Sequence, residues 1–235
     1  NSYAGLGNDF QLHGWWAIVI SDLLEDIRSM ILANAKDPTV AMVIFEEEVG
    51  QIREKIQQGE FPAIEHQLRR SSQRFGAIPM KLPPSAVPTI NLTGEIFVRR
   101  DSLSRQHLVR KLAEMGFATV CTPVAEWLHY SDYLLENNLS SRRLSKMERL
   151  GFLAKKKFMV SYEKRIKAAL SASGLIHAEP ISVGGIIKHA EQFISPNLPG
   201  EAVLTVGGAL TEVASHVCGV IAIGPFGCMP NRLSE

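Results

Sequence analysis

Cysteine is scarce in this chain of 235 residues, which contains only Cys121, Cys218 and Cys228. No two of them form a Cys-x-x-Cys pair, and an odd number of cysteines argues against a disulfide framework. Neither sign of charge predominates, because 25 basic and 24 acidic residues leave a net charge of +1. A nearly neutral chain has no global field that would attract nucleic acid or an anionic membrane, so we expect neither as a partner.

Several signature motifs are missing as well. No apolar stretch approaches the length of a membrane span, and no charged flank precedes an apolar run near the start, so we expect a cytoplasmic protein. The absence of a Gly-x-Gly-x-x-Gly fingerprint and a Walker A lysine argues against nucleotide binding, and that of a Gly-x-Ser-x-Gly elbow against a serine hydrolase. Because the first residue is Asn1 and the last strand is followed by only a short tail, we expect a fragment of a larger multidomain protein.

The first third of the sequence is predicted to be helical. Apolar residues recur at helical spacing over 15–35, 38–58 and 62–75. Asp37 and Pro38 have the residue types expected for the cap and the first residue of the second helix.

The periodicity changes after a proline-rich connector, which we expect to be extended and stiff. Short β-rich runs follow at 89–94, 117–121 and 219–223, and the strand–helix–strand order of the first two predicts parallel pairing. The predicted fold class is α/β, a three-layer parallel sheet flanked by helices and preceded by a helical segment. The helices predicted after the connector are 102–115, 124–136, 141–173, 181–194 and 200–216. The predicted division is a helical segment 1–78, a Pro-rich connector 79–87, and an α/β domain 88–235 that is truncated at its C-terminus.

Glu95, Arg99 and Arg100 follow the first predicted strand. Gly94 permits a positive φ or a close backbone approach, and the charged residues after it could grip a phosphate or a carboxylate. The alternative is a turn glycine followed by a solvated arginine pair.

Glu126, His129 and Tyr130 follow the second strand and share one helical neighbourhood. A Glu-x-x-His pair on one helix can ligate a metal, but such sites need a second pair, and none is visible in the sequence. The alternative is a carboxylate in the first helical turn together with a packed histidine.

Cys228 lies in a loop after the third strand, between glycines and prolines that can expose backbone amides. Such a setting suits a reactive thiolate or a ligand of an iron–sulfur cluster, which needs several converging thiolates. Cys121 also ends a parallel strand and could lie on the same edge of the sheet, whereas Cys218 precedes its strand and is expected at the opposite edge. The alternative for Cys121 and Cys218 is an ordinary core cysteine.

The long helical pattern at 141–173 is strongly basic. It could contact nucleic acid or an acidic partner, but it lacks the interleaved aromatic residues of single-strand binders. A solvated helix face, or a face packed on domains outside this chain, is the alternative.

Four motifs occur in a fixed order along the chain. They are 94–99 (GEIFVR), 126–130 (EWLHY), 200–207 (GEAVLTVG) and 224–230 (GPFGCMP). Together they resemble the C-terminal part of the large CoA-substrate-specific enzyme activases, the activase-related proteins of the 2-hydroxyacyl-CoA dehydratase system. The resemblance covers most of the chain, including the predicted helix that contains 22–24.

The resemblance implies a parent protein in which acetate-kinase-like ATPase domains drive a low-potential electron onto an acceptor iron–sulfur cluster. This chain would be a non-ATPase module of that parent, with Cys228 as a candidate cluster ligand and with ATP bound by domains outside it. Its implied partners are those ATPase domains, together with dehydratase subunits or an acyl-CoA. The alternative function is a binding or docking module for a CoA thioester or a dehydratase partner, without chemistry of its own. The candidate substrate-binding residues are Glu95, Arg99, Arg100, Glu126 and Phe226.

Overall fold

A computed structural model describes residues 7–137, 139, 143–178, 180–198, 200–215 and 217–234. Two predicted helix ends, at Ser141 and His216, lie outside the described residues. The helices of the described part are α1 (Gly7–Asn34), α2 (Pro38–Gln58), α3 (Phe61–Gly76), α4 (Leu108–Glu114), α5 (Val124–Glu136), α6 (Lys146–Ser171), α7 (Val183–Ala190), α8 (Ala202–Ser215) and α9 (Met229–Leu233). The strands are β1 (Thr89–Gly94), β2 (Ala118–Cys121) and β3 (Gly219–Ile223).

The three strands form one parallel sheet in the order β2-β1-β3. Its register pairs Leu92 with Cys121 on one side of β1 and with Ile221 on the other. The prediction of a mixed α/β fold with a parallel sheet flanked by helices is therefore confirmed. Among the described helices, none is long and apolar enough to cross a bilayer.

The second helix of the helical segment, α2, begins where the sequence predicts. Asp37 caps α2 by accepting hydrogen bonds from the amides of Thr39 and Val40, and Pro38 occupies the first turn. Gly59 ends α2 in the left-handed region with a φ of 78°, where a side chain would be strained.

The connector after α3 is fastened to the end of α1. The side chain of Asn34 accepts from the amide of Leu82 at 3.0 Å and donates to its carbonyl at 2.8 Å. Ala35 and Met80 form an isolated antiparallel bridge, and a short 3₁₀ turn follows at Pro84–Ala86. The proline-rich segment is thus held by hydrogen bonds as well as by its own stiffness.

One hydrophobic cluster extends across the predicted boundary at 79–87. It joins Ile27 of α1 and Phe75 of α3 to Ala118 of β2 and Leu170 of α6. Each of the fully buried Ile27, Phe75 and Leu170 side chains contributes about 1.5–3 kcal/mol to folding. The division into three parts remains a prediction, but the packing of α1–α3 is continuous with that of the sheet.

The predicted helix at 102–115 is shorter in the structure, and this part of the prediction is wrong. Residues 102–107 form turns, because Gln106 and His107 both have a positive φ, 51° and 56° respectively. A right-handed helix cannot pass through two left-handed residues, so α4 begins only at Leu108.

Candidate functional site

The carboxyl ends of the three strands meet at one edge of the sheet. The amide of Glu95 donates to the carbonyl of Ile223 at 2.8 Å, and the amide of Thr122 donates to that of Leu92 at 2.9 Å. These bonds bring together the segments that follow β1, β2 and β3. We call this region the carboxyl edge, defined by 94–107, 122–126 and 224–234.

Gly94 is required where β1 meets β3. Its φ is 104°, and a Cβ built on it would lie 2.1 Å from the carbonyl oxygen of Ile223. The expectation of a positive φ and a close backbone approach is confirmed. The next residue, Glu95, accepts a hydrogen bond from the amide of Val98 at 2.8 Å and so closes the turn after β1.

Arg99 is buried and Arg100 half-buried at this edge, unlike a solvated pair. The Arg99 guanidinium, only 4% exposed, donates to the carbonyls of Thr122 and Gly94. Arg100 donates to the carbonyls of Cys121 and Thr122 at 3.1 and 3.0 Å. Both arginines therefore pair with carbonyl groups at or just beyond the strand ends, which would otherwise be buried without partners.

Three carboxylates from other parts of the chain lie near these arginines. Asp22 of α1 lies 2.8 Å from Arg100, and Glu201 lies 3.6 Å from Arg99. Glu126 is 5% exposed in the first turn of α5, close enough to Arg99 to interact with its charge. Sequence analysis named Arg99, Arg100 and Glu126 as candidate site residues, whereas it did not identify Asp22 and Glu201.

Burial raises the pKa of Glu126 to about 7, although the charge of Arg99 acts in the opposite direction. The neighbouring carboxylates of Glu201 and Asp22 raise it further. Burial also raises the pKa of Glu201 above its ordinary range, with Arg99 again opposing. The carboxyl edge therefore holds one carboxylate, Glu126, that can take up a proton near neutral pH.

A polar face of α1 covers the open edge of β2. Ser29 accepts from the amide of Thr119 at 2.7 Å, and Asp26 accepts from that of Cys121 at 3.0 Å. One turn earlier, Asp22 accepts from the amides of Val124 and Ala125 at the start of α5. Side chains of one helix thus satisfy amides that a fourth strand would otherwise bind.

Burial raises the pKa of Asp26 to about 8, against the opposing effects of Arg100 and the Cys121 amide. Burial also raises the pKa of Asp22, although Arg100 opposes the shift. The available sequence signal was the spacing of Asp22, Asp26 and Ser29 on one face of a helix that is otherwise apolar.

The three cysteines do not converge. Cys228 is half-buried at the start of α9, beside Phe226, whose side chain is 99% exposed. Cys121 is buried, its thiol donates to the carbonyl of Arg99, and burial raises its pKa to about 11. Cys218 lies at the opposite edge of the sheet, as expected, where its amide and thiol reach the carbonyl of Thr89.

The described residues contain no group of three or more His, Cys, Asp or Glu side chains that could hold a metal ion. An iron–sulfur cluster needs several thiolates from converging segments. The donor set of this chain, taken alone, does not fit such a cluster.

Glu126, His129 and Tyr130 point into different surroundings. His129 Nε2 lies 2.6 Å from the carboxylate of Glu163 in α6. Tyr130 is buried in a separate cluster with Val183 of α7. The Glu-x-x-His spacing therefore does not form a metal site, and the partner of His129 is Glu163, which sequence reasoning missed.

The basic helix is α6, which starts with a capping box formed by Ser145 and Glu148. Its second half is buried through residues such as Ile166 and Leu170, whereas Met147 and Leu150 in its first half are exposed. Some of its cations form ion pairs within the fold, which fits a partly solvated helix face.

An open cleft of about 410 Å³ lies at the carboxyl edge between the segment after β1 and the end of β3. The chain runs from β1 to β2 on one side and reaches β3 on the other, so β1 and β3 flank the topological switch point of the sheet. Ligands of open α/β sheets bind at such crevices. The cleft lining comprises Val98, Ser104, Arg105, Gln106, Leu108, Lys111, Ala222, Ile223, Gly224 and Asn231.

The lining of this cleft is mixed apolar and basic. It includes Arg105 and Lys111 but no carboxylate among the described residues that form it. Arg105 is fixed by a hydrogen bond to the carbonyl of Arg99 and an ion pair with Glu25, while its Nε is buried without a hydrogen-bond partner. The left-handed Gln106 is also part of the wall, and strained backbone of this kind clusters at binding sites.

Comparison with known proteins gives no relative from which function could be transferred. No protein-family model, no curated protein and no solved structure matches this chain.

Proposed function

We propose that this chain is a cytoplasmic, non-ATPase module of a protein related to the 2-hydroxyacyl-CoA dehydratase activases. In that parent it would support ATP-driven, low-potential electron transfer, and its own part would be to bind an organic anion such as a CoA thioester. The observation that carries the binding role is the cleft between β1 and β3 at the switch point. The four ordered sequence motifs support the choice of parent.

Lys111 is the lining cation suited to an anion in this cleft, because Arg105 is already paired with Glu25 and with the carbonyl of Arg99. Arg99 and Arg100 pair with carbonyl groups and with carboxylates, so a ligand would have to displace those partners to reach them. Their proposed role is to fix the segment after β1, which forms one wall. Lys111 is exposed on α4 and free to approach a charged group from solvent.

We further propose the three-layer arrangement expected from the sequence. Leu92 of β1 packs with Val109 and Leu112 of α4 on one face of the sheet. Asn91 and Thr93 alternate to the other face, and α8 contacts β1 and β3. These contacts favour helices on both faces.

Calorimetric titration with CoA and with an acyl-CoA tests the binding role. We expect Lys111→Gln to weaken binding roughly five-fold, the effect of losing one exposed charge contact. Arg110→Gln is the matched control, because Arg110 is a neighbouring exposed cation on α4 that does not line the cleft. No heat with either ligand, or equal weakening by both substitutions, would contradict the proposal.

A second candidate role is that Cys228 supplies one thiolate to a cluster completed by a partner. It is favoured by the position of this half-buried thiol at the carboxyl edge, directly after Gly227 with a φ of 81°. Anaerobic reconstitution with iron and sulfide, in the presence of the ATPase domains or the dehydratase subunits, tests it by visible absorption. Cluster uptake should fall with Cys228→Ala and persist with Cys218→Ala, and unchanged uptake by the former would rule the role out.

A further inference from the structure

A second, smaller cleft of about 170 Å³ lies between α5, α6 and the start of α7. It is remote in sequence from the carboxyl-edge cleft and shares no lining residue with it. Its wall comprises His129, Tyr133, Lys156, Val160, Glu163, Lys164, Lys167, Pro180, Ile181, Val183 and Gly184. We call it the lysine cleft.

Positive charge predominates in the lysine cleft, since three lysines line it and Glu163 is the only carboxylate among the described lining residues. Glu163 is buried, and its two oxygens are taken by Lys167 Nζ at 2.7 Å and His129 Nε2 at 2.6 Å. Burial opposes its ionisation, yet the hydrogen bonds from His129 and Lys167 hold its pKa below the ordinary value. The carboxylate therefore stays charged and orders two donors in the wall.

The other two lysines differ in their pairing. Lys156 lies 2.6 Å from Glu136 at the rim. Lys164 is exposed at the mouth and makes no ion pair among the described residues. One cation among the described residues of the cleft is thus uncompensated, and all three lysines and Glu163 belong to α6.

The first turn of α7 places backbone amide groups in the wall of the positively charged lysine cleft. Ser182 caps the helix by accepting from the amide of Gly185. The amides of Val183 and Gly184 belong to the first turn, where helix geometry provides no intrahelical acceptor. Both residues line the cleft, together with the Tyr133 ring that Gly184 approaches.

We propose that the lysine cleft binds the phosphate group of a small molecule. Lysines act as point charges toward phosphate, and first-turn amides favour the same ligand. The volume equals about five or six water molecules at their share of the liquid, which suits one phosphate group rather than a polymer. The uncompensated Lys164 supplies the attraction, and the Glu163 network fixes Lys167 beside it.

Titration with inorganic phosphate and with glycerol phosphate, at constant ionic strength, tests this site by NMR or calorimetry. We expect Lys164→Gln to weaken phosphate binding roughly three- to tenfold. Lys146→Gln is the matched control, because it removes the same charge from an exposed position about 27 Å away along α6. Equal weakening by the two substitutions would show non-specific charge attraction and overturn the proposal.

Gly184→Asp provides a second test that does not depend on losing a lysine. A Cβ at this position would meet only the Tyr133 ring at 3.8 Å, and an acidic residue in the first turn favours the helix dipole. We expect the folded protein to keep its melting temperature and lose phosphate binding at least tenfold, whereas Gly184→Asn should retain most of it. Undiminished phosphate affinity of Gly184→Asp would overturn the proposal, whatever the outcome for CoA at the other cleft.

Discussion

Glu126→Gln should stabilise the protein in a strongly pH-dependent way. Glu126 is buried beside Arg99, and burial raises its pKa from 4.5 to about 7. Because the folded state holds this proton more tightly than the unfolded state, folding is most favoured by this group at low pH. The stabilisation is lost as pH rises from about 4.5 to 7.

The size of this effect follows from the shift. Each unit of pKa change corresponds to about 1.4 kcal/mol, so keeping the Glu126 carboxylate ionised and buried above pH 7 costs about 3 kcal/mol. Glutamine has nearly the same shape and remains neutral. We therefore expect Glu126→Gln to leave the free energy of unfolding almost unchanged near pH 4.5 and to raise it by about 3 kcal/mol at pH 8.

Urea unfolding of the parent protein and of Glu126→Gln between pH 4.5 and 8 gives the difference in their free energies of unfolding. Asp26 titrates in both proteins, whereas Asp22 and Glu201 interact with Glu126, so the difference reports the ionisation of Glu126 together with this coupling. Glu114→Gln, at an exposed position on α4, is the control and should show no comparable change. A difference between Glu126→Gln and the parent that does not vary with pH would refute the reasoning.

Three further outcomes can be measured on the same protein. Asp22→Ala should lower the free energy of unfolding by about 3–5 kcal/mol in urea melts, because it removes buried Asp22 and leaves half-buried Arg100 without its carboxylate, whereas Asp22→Asn should cost less. Gly207→Ala should lower the melting temperature and destabilise the fold by about 1–3 kcal/mol, since its Cβ would lie 2.1 Å from the carbonyl oxygen of Ile186. Thiol labelling of the native protein should modify the other two cysteines but spare Cys121, which is buried with a raised pKa, and labelling of all three at equal rates would contradict its placement.

Local patterns were sufficient to predict most elements of the fold. The runs at 89–94 and 219–223 are β-rich and bounded by glycine or proline, and both are strands. The helical pattern at 102–107 was misleading, because Gln106 and His107 adopt a left-handed φ that interrupts the helix before Leu108. Propensity carries no signal for two consecutive non-glycine residues in that region.

Only some residues of the candidate site could be predicted from the sequence. The sequence offered Arg99 and Arg100 either as an anion site or as a solvated pair, because a sequence does not show whether an arginine faces solvent or a strand end. Their partners Asp22 and Glu201 lie roughly 80 residues or more away along the chain, and only the folded sheet brings them together. Long-range pairing of this kind leaves no local periodicity to detect.

The covering of β2 by α1 explains why acidic groups with raised pKa values collect on one side of the sheet. An edge strand exposes amides that can pair with another chain, and proteins often block such edges. Here Ser29 and Asp26 bind those amides, and they must be buried to do so. Burial without a full counter-charge then raises the pKa of Asp26 to about 8, so the closed edge and the proton-binding carboxylate have one physical cause. With β2 closed in this way, β3 is the side of the sheet at which another strand could pair, and β3 also borders the carboxyl-edge cleft.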